Sequence, residues 1–331
     1  MLRQQRSRLL HRQQTAPAAA ELSAALHTAM GGQAALEAVQ ILVMQGGGIR
    51  NHLGQIGVTG GIDPEATLSD HIETIDFVNG HAAIDNQVTA GEGFAQHRTE
   101  AYTTWKGQRL GWGTTEGRPN IVTSTNGLFS WASHNSPEIL LKRNPITIAL
   151  AAANATGAST QMTLEGQSYW YLSTTLDGET LGLYIDKQSS LLHAFTALDT
   201  ETMRGDKDAL YIYSDYRQTG ALQLPYGVEI RHGGTLFSRL QYDSLTLDDQ
   251  SALAIFEIPP EVTDQADQVV ALNGDSWVPL EWNEVAEGVT HIVAFSHHSM
   301  VVEFPDFVVV VEGPYTEGQS LTLARMVEER I

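Results

Sequence analysis

The chain has 331 residues, 42% of them hydrophobic, and a formal net charge of −20. That length predicts about two domains, with enough apolar content to bury a core. The acidic balance argues against a nucleic-acid partner, because phosphate binding needs clustered Lys and Arg. Residues 241–331 carry 17 Asp plus Glu against 2 Arg, most of the charge excess, which reads as a solvated acidic surface. Cysteine is absent, excluding disulfides, thiolate metal sites and a cysteine nucleophile.

Residues 1–20 hold Arg3, Arg6, Arg8 and Arg12 and no acid, and are expected to form a basic, disordered start. Only Leu9-Leu10 follow the arginines, short of the roughly 7–15 apolar residues of an export signal. No apolar stretch approaches the ~18–20 residues that span a bilayer.

Leu22, Leu26 and Met30 share one helical face, Gly31-Gly32 punctuates, and Ala34–Val39 resumes the pattern, predicting two short helices. A strand through Ile41–Met44 follows. Gly46-Gly47-Gly48 lacks the spacing of a phosphate loop and predicts a bulge or a close backbone approach. From there to about residue 262, aromatic and β-branched runs such as Phe129–Ala132, Tyr169–Thr174, Leu181–Ile185, Leu191–Leu198, Leu210–Tyr216 and Val228–Ile230 alternate with turn dipeptides. Asn79-Gly80, Asn126-Gly127, Asp177-Gly178 and Gly233-Gly234 predict hairpins in an antiparallel sheet. Ser136-Pro137-Glu138 has the cap, N1 proline and first-turn acid of a helix start, and Asn144-Pro145 introduces the apolar run Ile146–Ala153. One or two helices are expected there, laid across the sheet. Pro259-Pro260 and the polar stretch Glu261–Gln268 predict a linker, with the domain boundary at residue 262.

The remaining segment, 263–331, holds two dense apolar runs, Thr290–Phe295 and Phe307–Val311, followed by a helix pattern. Thr316 and Gln319 stand at capping-box spacing, and Leu321, Ala324, Val327 or Glu328, and Ile331 mark the expected apolar face. A segment this short is expected to lack a core of its own and to need cover, which makes self-association through it an expectation.

The stretch Leu210–Arg217, then Gly220, Leu224-Pro225-Tyr226-Gly227-Val228-Glu229-Ile230 and Phe256-Glu257-Ile258-Pro259 resembles the β-rich amino-terminal domain that precedes a metallo-β-lactamase-fold hydrolase in many bacterial proteins. That domain is similar to the periplasmic lipoprotein-carrier fold. The resemblance covers roughly residues 22–262 and implies an α+β class, an antiparallel half-barrel with covering helices. Gly288-Val289-Thr290-His291, Ser296–Phe304 and Asp306–Pro314 resemble the first strands of the metallo-β-lactamase-fold domain itself. In that family an H-x-H-x-D-H metal loop comes next, and this sequence ends before it. Zinc is implied for the complete family protein, and an extracytoplasmic location with it.

A dinuclear zinc hydrolase needs several converging imidazoles and carboxylates. None of the twelve histidines has another two positions away, and Asp70-His71 is preceded by Leu68 and Ala66 where the motif needs histidines. His297 and His298 are adjacent, so on a strand they face opposite ways and do not chelate one ion. No G-x-S-x-G elbow, H-E-x-x-H helix or Walker loop is present. Asp215 and Arg217 are expected to form an exposed ion pair, Asp248-Asp249 and Glu328-Glu329 to be solvated, and Glu312-Gly313 to make a turn. No catalytic or metal-binding residue is assigned. The expected function is the amino-terminal portion of a metal-dependent hydrolase, not catalytic as this chain. The alternative is a binding module in residues 22–262 for an apolar or lipid-like ligand, and a third reading is an assembly subunit.

Overall fold

The computed structural model describes residues 16–51, 65–90, 94–117, 121–124, 137–201, 205–271, 280–294, 298–313 and 317–330. The expectations for residues 1–15, Asn126-Gly127 and Phe129–Ala132 lie outside the described residues. The class is α+β: thirteen strands form one antiparallel sheet and four a second. No helix among the described residues is long and apolar enough to cross a membrane.

The chain opens with α1 (Ala19–Ala29) and α2 (Gln33–Glu37). Glu21 accepts from the Ala18 amide, relieving one unsatisfied donor at the helix start. Leu22, Leu26 and Met30 are all buried, as their spacing predicts. Six strands follow as a meander: β1 (Ile41–Asn51), β2 (Glu65–Asp76), β3 (His81–Ala90), β4 (Phe94–Trp105), β5 (Gln108–Thr115) and β6 (Ile121–Ser124). Two helices interrupt, α3 (Pro137–Arg143) and α4 (Pro145–Ala151). Asn144 joins them, its amide donating to Leu140 O at 2.7 Å while its carbonyl accepts from the Thr147 amide at 2.9 Å. It thereby closes one helix and caps the next.

Seven more strands complete the sheet: β7 (Thr160–Leu164), β8 (Gln167–Leu176), β9 (Glu179–Ile185), β10 (Leu192–Glu201), β11 (Gly205–Thr219), β12 (Leu222–His232) and β13 (Thr235–Leu247). The two meanders meet where β1 pairs with β13, leaving β6 and β7 as the outer strands. At Asp177-Gly178 and Gly233-Gly234 both central residues have positive φ, the geometry that matches a two-residue hairpin to strand twist. The triple glycine lies in β1, and the register shifts there against both neighbours. A Cβ on Gly46 would stand 2.1 Å from Gln241 O, and one on Gly48 2.0 Å from Arg239 O, so the backbones approach as only glycine permits.

The main core lies between this sheet and α1, α2 and α4, with Leu26, Met30, Ile146, Ile148, Phe195 and Tyr213 buried in it. The opposite face carries a second cluster. There a 3-10 helix (Gln250–Phe256) and α5 (Pro260–Ala271) set Phe256, Val262 and Ala266 against Leu110, Trp112 and Val122. The linker expected over Glu261–Gln268 is therefore a helix. Pro260 takes its first position, where a missing N–H costs nothing, and Val262 and Ala266, four residues apart, supply a narrow buried stripe.

The second sheet orders β14 (Glu281–Ala286), β15 (Val289–Val293), β16 (Ser299–Glu303) and β17 (Val308–Val311), followed by α6 (Glu317–Arg330). Ile292, Val301 and Leu323 form a small core with Leu280, Trp282, Val308 and Val327 around it. The expected helix face is displaced: Leu321 is 44% exposed while Leu323 is 3% exposed. The sheet itself supplies the cover that the sequence left unassigned, through Ile292 and Val301.

Candidate functional site

The face of the large sheet that packs against α1–α4 also holds a cavity of about 60 Å³. By volume that is room for about four waters. Its walls come from β1–β4, β12, β13 and α3. Leu68, Ile84, Ile139, Leu140, Ile230 and Leu240 form the apolar part; Arg50, His71, Glu73, Asn86, Arg98, Glu100 and Ser238 form the polar part. Strand register explains the grouping, because Asn86 pairs with Arg98, Ile84 pairs with both Glu73 and Glu100, and Ser238 pairs with both Arg50 and Ile230. Gly48 lies between Leu68 and Leu240, and Gly46 between His71 and Tyr242, so β1 places no side chain at these two positions. The cover over this region is loose. Ile139, Leu140 and Leu141 of α3 are only half-buried, whereas Ile146 and Ile148 of α4 are buried.

The polar groups are mostly paired. Tyr242 donates to Glu73 Oε2 at 2.8 Å, His71 Nε2 lies 3.0 Å from Glu73 Oε1, and Asn86 Nδ2 lies 3.2 Å from His71 Nδ1. Burial and the Glu73 charge hold the Tyr242 hydroxyl well above its ordinary range. Arg98 pairs with Glu100, whose carboxyl burial pushes upward against the opposing pull of Arg98 and Arg50. Arg50 differs from these. It is 7% exposed and lines the cavity without a hydrogen bond or ion pair to any described residue. Burial and the like charge of Arg98 push its guanidinium down to about 10, with Glu100 offsetting only part. Two further buried atoms, Arg98 Nε and Asn86 Oδ1, have no hydrogen-bond partner.

A separate buried network fixes the end of α3. Arg143 reaches Glu179 with Nη2 at 2.7 and 2.9 Å and Asp199 with Nε at 3.2 Å. Tyr211 donates to Asp199 at 2.6 Å, and Tyr213 donates to the Arg143 carbonyl at 2.8 Å. Sequence reading missed both polar groups. Arg50, Arg98, Arg143 and Asp199 sit in no motif, and their partners are distant in sequence or across strands.

Of the residues singled out in sequence, His298 contacts His291, Nδ1 to Nε2 at 3.0 Å. His297 lies outside the described residues. His71 belongs to the cavity, and Asp70 sits at positive φ in the β2 irregularity opposite β3. Arg217 Nε donates to Asp215 at 3.0 Å in an exposed ion pair. Among the described residues no three His, Cys, Asp or Glu side chains converge as a metal site.

No protein-family model matches the chain, and no curated protein matches it. Among solved structures it is similar to a DUF1329 family protein from Desulfovibrio piger, at 11% identity and a TM-score of 0.39, over 73% of this chain and 98% of that one. It is also similar to a LolA superfamily protein from Nitrosomonas europaea, at 11% identity and a TM-score of 0.37, over 73% of this chain and 99% of that one. These findings correct the metallo-β-lactamase-fold resemblance drawn from the tail. Neither structure belongs to that class of hydrolase and no family model supports it, so the resemblance to a metallo-β-lactamase-fold hydrolase is withdrawn. The physical reason is that short valine-rich strands with intervening turns specify a small antiparallel sheet, which many unrelated folds contain.

Proposed function

We propose that the large sheet forms a half-barrel whose hollow binds an apolar or lipid-like small molecule. The observation that carries this reading is the cavity beneath α3, with four aliphatic side chains on the strands and the half-buried Ile139 and Leu140 over them. Ligand sites are typically concave, with apolar walls and fixed polar groups, and here six aliphatic residues share the lining with seven polar ones. At about 60 Å³ the cavity holds only part of such a molecule. The remainder lies along Ile139 and Leu140, whose partial exposure marks apolar surface that a ligand would cover. Titration of delipidated protein with a fluorescent fatty-acid probe tests the reading. Saturable binding at one site per chain is expected, and a linear, non-saturating signal removes it.

A further inference from the structure

We infer that the cavity recognises an aliphatic monocarboxylate, with Arg50 as the group that receives the carboxylate. The inference rests on the reading of the hollow as an apolar-ligand site and adds the chemistry of the ligand's head. Every other charged group in the cavity has a partner of its own. Glu73 is held by Tyr242 and His71, and Glu100 by Arg98. Arg50 alone among the charged lining residues is buried, faces the cavity and pairs with nothing described. Glu100, the carboxylate whose charge Arg50 feels, is held by Arg98, which leaves the Arg50 guanidinium donors unused, and a planar carboxylate matches that fork through two parallel hydrogen bonds.

Two further features select the class. The unpartnered Arg98 Nε–H shares the cavity's polar wall and offers another donor to an oxyanion. Arg50 and Arg98 are already matched in number by Glu73 and Glu100, so a singly charged head adds one negative charge to the cavity where a phosphate dianion would add two. Leu68, Leu240 and Ile230 stand on the strands around Arg50, and Ile139 and Leu140 also line the cavity, so a ligand whose carboxylate meets Arg50 has aliphatic neighbours for the rest of its length.

The test compares three ten-carbon compounds, decanoate, decanol and decyltrimethylammonium, as competitors of an uncharged naphthylamine fluorophore bound to the full chain at neutral pH. Decanoate is expected to bind about tenfold or more tighter than decanol, the scale of a hydrogen bond to a charged group, and the cation weakest. Arg50→Met is expected to lose the preference and bind decanoate no better than decanol. Arg50→Lys, which retains the charge but not the fork, falls between. Equal binding of decanoate and decanol by the unaltered protein overturns the inference while leaving the apolar site standing, and needs no variant. An unchanged preference in a folded Arg50→Met protein overturns it too. If no compound displaces the fluorophore, the apolar site itself fails and the inference goes with it.

Discussion

Arg143 and Asp199 face each other inside the protein, Nε to Oδ1 at 3.2 Å, with side-chain exposures of 6% and 1%. The pair ties the end of α3 to β10, and Tyr211 and Tyr213 add hydrogen bonds to the carboxylate and to the Arg143 carbonyl. Removing Asp199 leaves Arg143 with Glu179 alone and takes the acceptor from the buried Tyr211 hydroxyl. Asp199→Ala is therefore expected to destabilise the protein by about 2–3 kcal/mol, read from urea unfolding midpoints at constant slope. A loss below roughly 1 kcal/mol, the value of an exposed pair, would show that the clamp is not formed.

The same carboxylate predicts a pH dependence. Burial works to raise its pKa, but the His232 imidazole 3.7 Å away, the Arg143 charge and the Tyr211 hydroxyl outweigh it, so the group is held below the ordinary aspartate range. A folded value below the unfolded one means stabilisation that is complete above the unfolded value of about 3.9 and is lost as pH falls through the folded value. Unfolding free energy measured from pH 5 downward should fall more steeply for the natural protein than for Asp199→Asn. Parallel acid limbs would contradict the assignment.

Gly48→Ala places a Cβ 2.0 Å from Arg239 O, a backbone atom that cannot rotate away. Forcing β1 and β13 apart should cost at least the roughly 1–3 kcal/mol of an overpacked core. Thermal melts of Gly48→Ala and Gly107→Ala separate this effect from turn strain, since nothing lies within 4 Å of a Cβ at Gly107. Equal shifts in the two variants would remove the close approach as the cause.

Helix α5 packs on Trp112 and Val122, so a chain ending at Ala271 should unfold cooperatively, while one ending at Glu257 should melt markedly lower. Trp112→Ala in the full chain should cost about 3–5 kcal/mol by the same contact. Identical melting of the two shortened chains would show that α5 contributes nothing to this sheet.

The outer strand β17 exposes Val309, Val310 and Val311, and Phe304 stacks on Phe307 beside it at 4.7 Å between ring centroids. An exposed, apolar outer strand favours edge-to-edge pairing. Sedimentation should show association that grows with concentration and weakens in Val311→Lys. A concentration-independent monomer would refute it.

Much of the fold was legible because local chemistry agreed with the final structure. Leu22, Leu26 and Met30 at helical spacing, Pro137 and Pro145 at helix starts, and Asp177-Gly178 and Gly233-Gly234 at hairpins each act within a few residues. Equivalent turns at Lys106-Gly107 and Glu165-Gly166 escaped notice, because only the positive φ of both residues reveals them and Lys and Glu are unusual there. Helix α5 was hidden because only Val262 and Ala266 of its first seven residues are buried, leaving a polar sequence. The cavity could not be read at all. Arg50, Arg98 and Glu100 resemble solvated strand residues until the register brings them to the helix-covered face, and Arg143 and Asp199 are 56 positions apart.

A hollow that accepts an aliphatic molecule is the central requirement of the proposed function. Native mass spectrometry of delipidated protein titrated with decanol measures this without invoking the head group. One adduct per chain, saturating and abolished by Ile139→Asp, is the predicted result. No adduct, or a ladder of adducts that never saturates and is unaffected by Ile139→Asp, would contradict it.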